Sequence, residues 1–313
     1  MKQKKIIPIV FAFDGNLIDP ACICLSSLLM NAREDTFYDI YILYPSKENL
    51  QRDKIHLLLT AYSNCRIIWR PVTSEFDSSF EIRGITSAAY YRLLIPELIP
   101  EYDKVLYSDV DVIFREDLSR YYNIDVEGYY FAGVDSTAHL MKDFNHYYAT
   151  MFKCPGKGII YSGNLIINSR LIREDGIVEK FRDHATKKYK FQDMDIINIV
   201  CKGKIKYLSP SFCYTTYISD FAVNHRELLQ TIWTEEEIQE AEDKGIVHYN
   251  GQKPWMGACI NFDIWWEYYR KSPFFDSKYY YQFFNNMLNE HDRLPLFKRI
   301  KILLRYFIYG RKK

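Results

Sequence analysis

The chain has 313 residues, of which 48% are hydrophobic and 17% aromatic, and 41 basic against 40 acidic residues leave a net charge of +1. This composition is too apolar and too aromatic for an intrinsically disordered protein. The balanced charge argues against a protein that binds nucleic acid through a broadly basic surface. No stretch approaches the roughly 18 uncharged apolar residues of a membrane-spanning helix. A folded globular protein is therefore expected, with its function carried by local motifs.

The N-terminal segment and the cysteines both bear on the cellular compartment. Lys2, Lys4 and Lys5 precede an apolar run, as in a signal peptide, but Asp14 interrupts that run early and no small-residue cleavage pattern follows. Residues 6–13 are therefore predicted to form a first strand. The seven cysteines are scattered, with no Cys-x-x-Cys pair, which favours reduced thiols in the cytosol and argues against a zinc site.

Strands and helices alternate along the first half of the chain. Strands are predicted at residues 6–13, 40–44, 66–69 and 104–107, and helices at 20–31, 47–63 and from Thr86 or Ser87 through Leu94, ending near Pro96. This alternation indicates βαβ units and a mainly parallel sheet. In the second half, strands are predicted at 159–168 and 246–249, and helices at 171–188, 193–201 and 235–243.

The most informative tripeptide is Asp109-Val110-Asp111, directly after the strand predicted at 104–107. Sheets of this class bind ligands beyond the carboxyl ends of their strands. Two neighbouring carboxylates repel each other, and a divalent cation removes that cost. Carboxylate oxygens suit Mn²⁺ or Mg²⁺, either of which can also hold a diphosphate. Taken alone, the tripeptide is a weak signal that more often marks a solvated turn or a cap than a metal site.

Six sequence blocks, in this order along the chain, carry a resemblance to a known family. They are residues 10–16 (VFAFDGN), 85–98 (ITSAAYYRLLIPEL), 103–111 (DKVLYSDVD), 162–168 (SGNLIIN), 191–198 (FQDMDIIN) and 248–255 (HYNGQKPW). Together they resemble glycosyltransferase family 8, which includes the lipopolysaccharide galactosyl- and glucosyltransferases and is related to glycogenin. The resemblance covers about residues 6–255.

The resemblance implies the GT-A fold, in which a Rossmann-like mixed α/β sheet is flanked by helices and the donor pocket lies at the strand ends. A GT-A domain is expected over residues 1–260. Residues 261–313 are expected to form a small helical extension rich in aromatic and basic residues.

The resemblance also implies the site residues. Asp109, Asp111 and His248 are expected to ligate Mn²⁺, with Mg²⁺ as the alternative ion. The nucleotide is expected to contact Ala12, Asp14, Asn16, Val110, Gly251 and Lys253. Arg92, Asp135 and Asp193 correspond to residues that contact the donor sugar, and Arg92 and Asp193 are the candidate catalytic residues. For each of these residues alone, a cap, an ion pair or a surface position is the structural alternative.

The implied reaction moves a hexose, glucose or galactose, from a UDP-sugar to a hydroxyl of a glycan or a lipid-linked acceptor, with retention of anomeric configuration. Three residues depart from the family pattern, namely Met194 for a glutamine, Tyr161 for an asparagine and Gly84 for an acceptor-contacting histidine. A thioether is not a conventional nucleophile, so a double displacement through residue 194 is excluded and front-face attack is favoured. These departures keep a second hypothesis open, a weak or inactive protein that binds nucleotide sugars or glycans on the same fold.

The last residues, 293–313, contain eight basic and no acidic residues, interleaved with apolar ones. A basic amphipathic helix is typical of an interfacial membrane anchor. Each basic residue near an anionic leaflet contributes about 1 kcal/mol. The tail is therefore expected to bind the inner face of a membrane, making the protein cytoplasmic and peripheral. Docking of the same helix on its own domain is the alternative.

Overall fold

The computed structural model describes residues 4–73, 87–153, 156–289 and 294–310. The chain divides into two compact units, Met1–Pro273 and Phe274–Lys313. Residues 261–273, which the sequence placed in the C-terminal extension, are part of the first unit, where Trp265 and Trp266 are buried.

The strands of the described ranges are numbered in chain order. They are β1 (Lys5–Ala12), β2 (Thr36–Pro45), β3 (Cys65–Val72), β4 (Val105–Ser108), β5 (Val112–Ile113), β6 (Phe131–Val134), β7 (Asn164–Ile167), β8 (Ile205–Leu208), β9 (Tyr214–Thr215) and β10 (Val247–His248). The main sheet has the order β3-β2-β1-β4-β7-β6-β8, and a small sheet has the order β5-β10-β9.

The main sheet is mixed, as the GT-A expectation requires. The four strands β3, β2, β1 and β4 are parallel, which agrees with the βαβ pattern of the first half. Strand β7 runs antiparallel to both of its neighbours, β4 and β6, whereas β8 is parallel to β6. The prediction of a mainly parallel sheet therefore fits one half of the sheet, and the other half departs from it through β7.

The helices of the first unit surround this sheet. They are α1 (Ile18–Met30), α2 (Arg52–His56), α3 (Leu58–Ala61), α4 (Ile95–Leu98), α5 (Ser119–Tyr122), α6 (Lys142–Phe152), α7 (Ser169–Glu174), α8 (Ile177–Ala185), α9 (Gln192–Val200), α10 (Thr216–Asn224), α11 (Arg226–Leu229), α12 (Glu235–Lys244) and α13 (Phe262–Lys271). Short 3₁₀ segments lie at Gly15–Leu17, Ser87–Leu94, Ala138–Leu140 and Pro210–Phe212.

Three predicted helices differ from the structure. Residues 87–94 form a 3₁₀ helix, and Pro96 lies in the first turn of α4, where its missing N–H is not needed. The chain therefore continues as helix past Pro96 instead of ending there; Thr86 lies outside the described residues. The helix predicted at 47–63 is split into α2 and α3. The helix predicted at 171–188 is interrupted by Gly176 (φ +61°), which separates α7 from α8.

The parallel strands β1 and β4 end at the same edge of the main sheet. They are neighbours, with Val10 beside Tyr107. The side chains of Ile7, Val10 and Phe11 in β1 are fully buried although they alternate between the two faces, which explains the unbroken apolar run of this strand. Because both strands end at one edge, the segments that follow them, 12–16 and 109–111, lie there together.

The small sheet brings a third segment to this edge. Strand β10 pairs antiparallel with β5, placing His248 opposite Val112, and parallel with β9. Because β5 begins directly after Asp111, this pairing carries His248 to the two aspartates. The strand predicted at 246–249 is confirmed in shortened form by β10. Strands of two residues are too short to show a periodic pattern, so the pairing of β10 with β5 and β9 could not be predicted from the sequence.

The second unit contains α14 (Ser277–Leu288) and α15 (Leu296–Tyr309). Helix α15 confirms a helix in the basic tail, although Arg293 and residues 311–313 lie outside the described residues. A search of the described helices finds none with the length and apolarity needed to cross a membrane. The cysteines of the described ranges are free thiols, and Cys154 lies outside them.

Candidate active site

Two carboxylates and one imidazole converge at the edge of the main sheet. The Nε2 atom of His248 lies 3.2 Å from Asp111 Oδ1 and 3.7 Å from Asp109 Oδ2. One potential ligand atom from each of the three residues lies within 4.8 Å of the other two. This donor set fits a hard or borderline divalent cation, and the imidazole favours Mn²⁺ over Mg²⁺. The three predicted metal ligands are therefore brought together.

Backbone hydrogen bonds fix both aspartates in this cluster. The Asp109 N–H donates to the Gly163 carbonyl at 2.8 Å, and the Tyr249 N–H donates to the Asp111 carbonyl at 2.9 Å. The first bond ties the loop after β4 to the residue before β7. The second ties it to the residue after β10. The positions of the carboxylates thus depend on strands from three distant parts of the chain.

Gly163 leaves the space that the imidazole occupies. A Cβ atom at this position would lie 2.1 Å from Cε1 of His248 and 2.8 Å from Oδ2 of Asp109. Real Cβ atoms essentially never approach other atoms so closely, so only glycine fits here. The sequence contained Gly163 in a family block but gave no reason to connect it with His248.

The cluster is strongly coupled electrostatically. Burial lowers the pKa of His248, but the neighbouring Asp111 carboxylate more than offsets this and raises the pKa to about 10. Burial alone would raise the pKa of Asp111. The positive charges of Lys253 and His248 outweigh the effect of burial and hold that pKa well below its usual range. The Lys253 ammonium donates to Asp111 and to the Tyr249 carbonyl. Lys253 is therefore placed beside Asp109, Asp111 and His248, which are called the metal cluster below because they could hold a divalent cation.

Arg92 links the metal cluster to helix α9. Its guanidinium donates to Asp109 Oδ1 at 2.9 Å, and its Nε lies 3.2 Å from Asp193 Oδ2. It also donates to the Ser162 carbonyl and lies over the Tyr107 ring, 4.5 Å from the centroid. Arg92 is 6% exposed, and its ion pairs match the structural alternative for this residue. It also lies on the cavity wall, and its contact with the donor and its catalytic role stay predictions.

Asp193 is a buried acid with unused hydrogen-bonding capacity. Burial raises its pKa, and Arg92 lowers it in part. Its Oδ2 atom forms the ion pair with Arg92 but accepts no hydrogen bond within the described part of the chain. Asp193 also lines the cavity described below. Such an oxygen can accept a hydrogen bond from a hydroxyl of a bound molecule.

A cavity of about 610 Å³ lies over this cluster. Every predicted site residue except Asp135 lines this cavity. These residues are Ala12, Asp14, Asn16, Arg92, Asp109, Val110, Asp111, Asp193, His248, Gly251 and Lys253. The predicted nucleotide residues thus share one concave surface with the metal cluster. Asp14 begins the 3₁₀ turn after β1, where its side chain accepts the Asn16 N–H at 2.9 Å.

Asp135 lies elsewhere. Its two carboxylate oxygens accept the N–H groups of Thr137 at 2.8 Å and Gly158 at 2.9 Å, which braces the loop after β6. This is the loop-cap role that was the alternative for this residue. The neighbouring Ser136 lines the cavity, whereas Asp135 is not among the described residues that do. A contact between Asp135 and a donor sugar remains a prediction.

Two of the three departures from the family pattern, Met194 and Tyr161, line the cavity, and Gly84 lies outside the described residues. Sequence reasoning missed Gln192, which is 1% exposed, lines the cavity and has a left-handed backbone (φ +45°). It also missed the aromatic wall formed by Phe144 and Tyr217, whose rings meet edge to face at 5.9 Å. Both rings come from helices outside the six family blocks, so no motif marked them.

Comparison with known proteins agrees with this description. Residues 8–259 match the model of glycosyl transferase family 8. A putative glycosyltransferase of Haemophilus influenzae is 29% identical over 212 residues, which cover 66% of this chain and 63% of that protein. The general stress protein A of Bacillus subtilis is 24% identical over 266 residues, covering 82% of this chain and 89% of the relative. The chain therefore spans somewhat less than two thirds of the Haemophilus relative.

Solved structures show the same fold. WbbM, a bifunctional glycosyltransferase in its apo form, aligns with a TM-score of 0.71 at 20% identity, over 90% of this chain and 52% of WbbM. An active-site mutant of LgtC aligns with a TM-score of 0.69 at 22% identity, over 87% of this chain and 99% of LgtC. The mixed sheet flanked by helices is thus a GT-A fold. Since the family model matches most of the first unit, including Asp109, Asp111 and His248, the chain belongs to glycosyltransferase family 8.

Proposed function

We propose that this glycosyltransferase is a metal-dependent, retaining hexosyltransferase that moves glucose or galactose from a UDP-sugar to a hydroxyl of a glycan or lipid-linked acceptor. The observation that carries the proposal is the convergence of Asp109, Asp111 and His248 on one cavity, beside the cation of Lys253. A diphosphate leaving group needs positive charge where its negative charge develops. These residues can supply that charge directly and by holding an ion.

The donor is proposed to lie along the edge where β1 and β4 end. Asp109, Asp111 and His248 would hold Mn²⁺, which supplies a Lewis acid for the departing phosphate when bound. Lys253 adds a point charge to the same phosphates. A Cβ atom added to Gly251 would have Thr216 Cγ2 at 3.6 Å as its nearest described neighbour. The Gly251 backbone is therefore open to close approach by a phosphate. Uridine and ribose are assigned to Ala12, Asp14 and Asn16.

The sugar is assigned to the region between Arg92 and Asp193. The Oδ2 atom of Asp193 is ion-paired with Arg92, which holds the carboxylate in place, and it accepts no hydrogen bond within the described part of the chain, so it is the proposed acceptor for a sugar hydroxyl. Met194 follows Asp193 on the cavity wall, and a thioether cannot form a glycosyl ester. Front-face attack by the acceptor, with the departing phosphate taking its proton, is therefore favoured over double displacement at residue 194.

The acceptor is assigned to the aromatic wall of the cavity. Phe144 from α6 and Tyr217 from α10 lie there with Met194 from α9. Tyr217 is 37% exposed, so part of its ring remains available for contact. Aromatic rings present large rigid surfaces to the apolar face of a ligand. A transferase must hold two substrates, and this wall is the part of the lining that the phosphates do not require.

The test is a donor screen that measures UDP release from UDP-glucose and UDP-galactose, with and without Mn²⁺. Wild-type protein is expected to release UDP in the presence of Mn²⁺, and an added acceptor that fits the aromatic wall is expected to increase the rate. Asp111→Ala should lose at least 100-fold in rate because it removes a metal ligand. Asp53→Ala, at an exposed acid of α2, is the control and should match the wild type.

Two outcomes would contradict the proposal. Release of UDP by Asp111→Ala at the wild-type rate would remove the metal cluster from the reaction. Tight binding of UDP-sugars by the wild type without any release would instead support the second hypothesis, a binding protein on the same fold, for which Met194 is the motivating residue.

The basic helix α15 is proposed to bring the enzyme to an anionic membrane surface. Its basic residues are Lys298, Arg299, Lys301 and Arg305. Its apolar residues include Phe297 and Phe307, each 86% exposed. Apolar area and positive charge on one helix together favour the interface of an anionic bilayer. A lipid-linked acceptor would be found at the same surface, on its cytoplasmic face.

A further inference from the structure

The imidazole of His248 has a sulfur neighbour on the side away from the aspartates. Its Nε2 atom lies nearest the carboxylates, 3.2 Å from Asp111 Oδ1. Its other nitrogen, Nδ1, lies 3.5 Å from Sγ of Cys213, within hydrogen-bonding distance for sulfur. Both side chains are buried, His248 at 4% and Cys213 at 0% exposure. The two ring nitrogens therefore have chemically different neighbours, carboxylates at Nε2 and a thiol at Nδ1.

The backbone fixes this thiol relative to the ring. Cys213 directly precedes β9, and its N–H donates to the Pro210 carbonyl at 3.1 Å, closing the 3₁₀ turn before it. Strand β9 pairs in parallel with β10, the strand that ends with His248. The Tyr214 N–H also donates to the Ile246 carbonyl at 2.7 Å. The thiol and the imidazole are thus carried by two adjacent backbones in fixed register.

An imidazole that binds a cation through Nε2 must carry its proton on Nδ1, and the partner of that N–H sets the tautomer and the orientation of the ring. We propose that Cys213 is the positioning residue for His248, accepting the Nδ1–H on sulfur so that the Nε2 lone pair faces Asp109 and Asp111. The inference rests on the proposed function, because it requires His248 to be a metal ligand.

The arrangement also explains why the ring needs such a partner. Gly163 lies directly against the ring, so packing there limits how far the ring can advance, but a glycine has no side chain that could hydrogen-bond to it. Within the described residues, the sulfur of Cys213 is the group found within hydrogen-bonding distance of Nδ1, so it can favour the tautomer that carries a proton there. Sulfur is a weak acceptor, whereas metal-bound histidines ordinarily donate to a carboxylate, a carbonyl or water. The hydrogen bond therefore orients His248 while adding little to its basicity.

The test measures Mn²⁺ binding to the full-length protein without donor, from the electron paramagnetic resonance signal of the free ion. Cys213→Ala and Cys213→Val, which lack an acceptor, are expected to weaken binding about 10- to 100-fold. Cys213→Ser places a hydroxyl acceptor at the same position and should restore affinity to within a few fold of the wild type. Cys201→Ala, at a buried core thiol, is the matched control and should leave affinity unchanged.

The outcomes separate this inference from the proposed function. Wild-type binding of Mn²⁺ together with equal affinity in folded Cys213→Ala or Cys213→Val would overturn the positioning role alone. Equal weakening in Cys213→Ser and Cys213→Ala would also overturn it, since loss of packing would then account for the effect. Absence of Mn²⁺ binding by the wild type would overturn both. Near-ultraviolet circular dichroism of each variant shows whether it is folded, and the valine variant preserves volume should alanine disrupt packing.

Discussion

At the scale of single residues, contact distances decide which side chains the site tolerates. Gly163 lies against the His248 ring so closely that even a methyl group would overlap it. Gly251 lies on the same cavity wall but has no neighbour closer than 3.6 Å to an added Cβ. The two glycines therefore differ in what they provide. Gly163 makes room for a protein side chain, and Gly251 leaves room for a ligand.

Gly163→Ala is expected to weaken Mn²⁺ binding at least 10-fold, because the new methyl group displaces the imidazole from Asp109 and Asp111. Isothermal titration with MnCl₂ measures this. Gly251→Ala is the control, expected to bind the ion as the wild type does while weakening the binding of UDP. Equal Mn²⁺ affinity in Gly163→Ala and the wild type would show that His248 does not need its present position.

Arg92 is paired with two carboxylates at the site, so a structural and a catalytic role would involve the same contacts. Arg92 contacts Asp109 and Asp193 at once, both of which the sequence had placed in the site. Removing one member of such a buried cluster leaves an uncompensated charge and is strongly destabilising. A loss of activity on substituting Arg92 would therefore mix folding with catalysis. Asp193, whose Oδ2 is ion-paired with Arg92 but accepts no hydrogen bond within the described part of the chain, is the better candidate for direct contact with the sugar.

At the scale of elements, helix α9 carries Asp193 into the cavity and is fastened to α6 by a second aspartate. Asp195 accepts hydrogen bonds from Tyr147 at 2.6 Å, Tyr148 at 3.1 Å and the Phe191 N–H at 2.9 Å. Burial raises its pKa to about 6, although these three donors lower it in part. The network fixes the first turn of α9, and so the direction of Asp193.

Asp195→Asn is expected to change how stability depends on pH. Folding raises the pKa of Asp195. Its contribution to the free energy of unfolding is therefore fully present below about pH 4 and is lost as the pH rises through about 6. Relative to the asparagine variant, the wild type should lose about 3 kcal/mol of unfolding free energy between pH 3.5 and pH 7. Urea unfolding at both pH values measures the difference. If the difference in unfolding free energy between the wild type and the asparagine variant were the same at both pH values, the pKa of Asp195 would not be raised in the folded protein.

Much of this architecture followed from the sequence, and the remainder has an identifiable cause. The family and the GT-A fold, inferred from six blocks, are confirmed. Strands β1 and β2 were found because long apolar runs mark buried parallel strands, and the edge strand β3, which is mostly part-buried, was found from the short run Ile67-Ile68-Trp69. The antiparallel strand β7 was placed in sequence but not in orientation, since an apolar run carries no direction. The 3₁₀ helix at 87–94 was taken for an α-helix because both place apolar residues three apart.

The missed parts of the site share one property, their dependence on contacts between distant segments. Cys213 and Gly163 both contact His248. The closeness of either residue to the imidazole could not be inferred without the two-residue strands of the small sheet. Phe144 and Tyr217 belong to helices α6 and α10, which meet only in the folded chain. Gln192 required a backbone angle that its sequence neighbours do not signal. Motifs located the metal ligands, and tertiary packing located the residues around them.

At the scale of the whole molecule, the second unit is notable for the exposed surface of helix α15. Exposed apolar side chains run along α15 from Leu296 to Ile308 among four basic residues. Neighbouring acids, which would neutralise the charge, are absent from residues 293–313. This combination is typical of segments that lie in the interface of an anionic bilayer.

Deletion of residues 293–313 is expected to release the protein from anionic phosphatidylserine vesicles while preserving UDP-sugar hydrolysis. Vesicle sedimentation measures the bound fraction, with neutral phosphatidylcholine vesicles as the lipid control. A charge-matched pair refines the test. Glutamine replaces Lys298, Arg299, Lys301 and Arg305 in one variant, and Lys187, Lys188, Lys202 and Lys204 of the first unit in the other. Only the first should lose binding. Unchanged vesicle binding after the deletion would remove the tail from any membrane role.

The division of the metal ligands between two distant strands has a consequence for how the protein is made. Asp111 lies in the first half of the chain and His248 in its last quarter. A ribosome must therefore synthesise nearly the whole first unit before an ion can meet all three ligands. An ion that binds only the finished site stabilises it by about 2.7 kcal/mol at a hundredfold excess over its dissociation constant. If the site holds an ion, its supply would then influence the stability of newly made chains as well as that of the finished site.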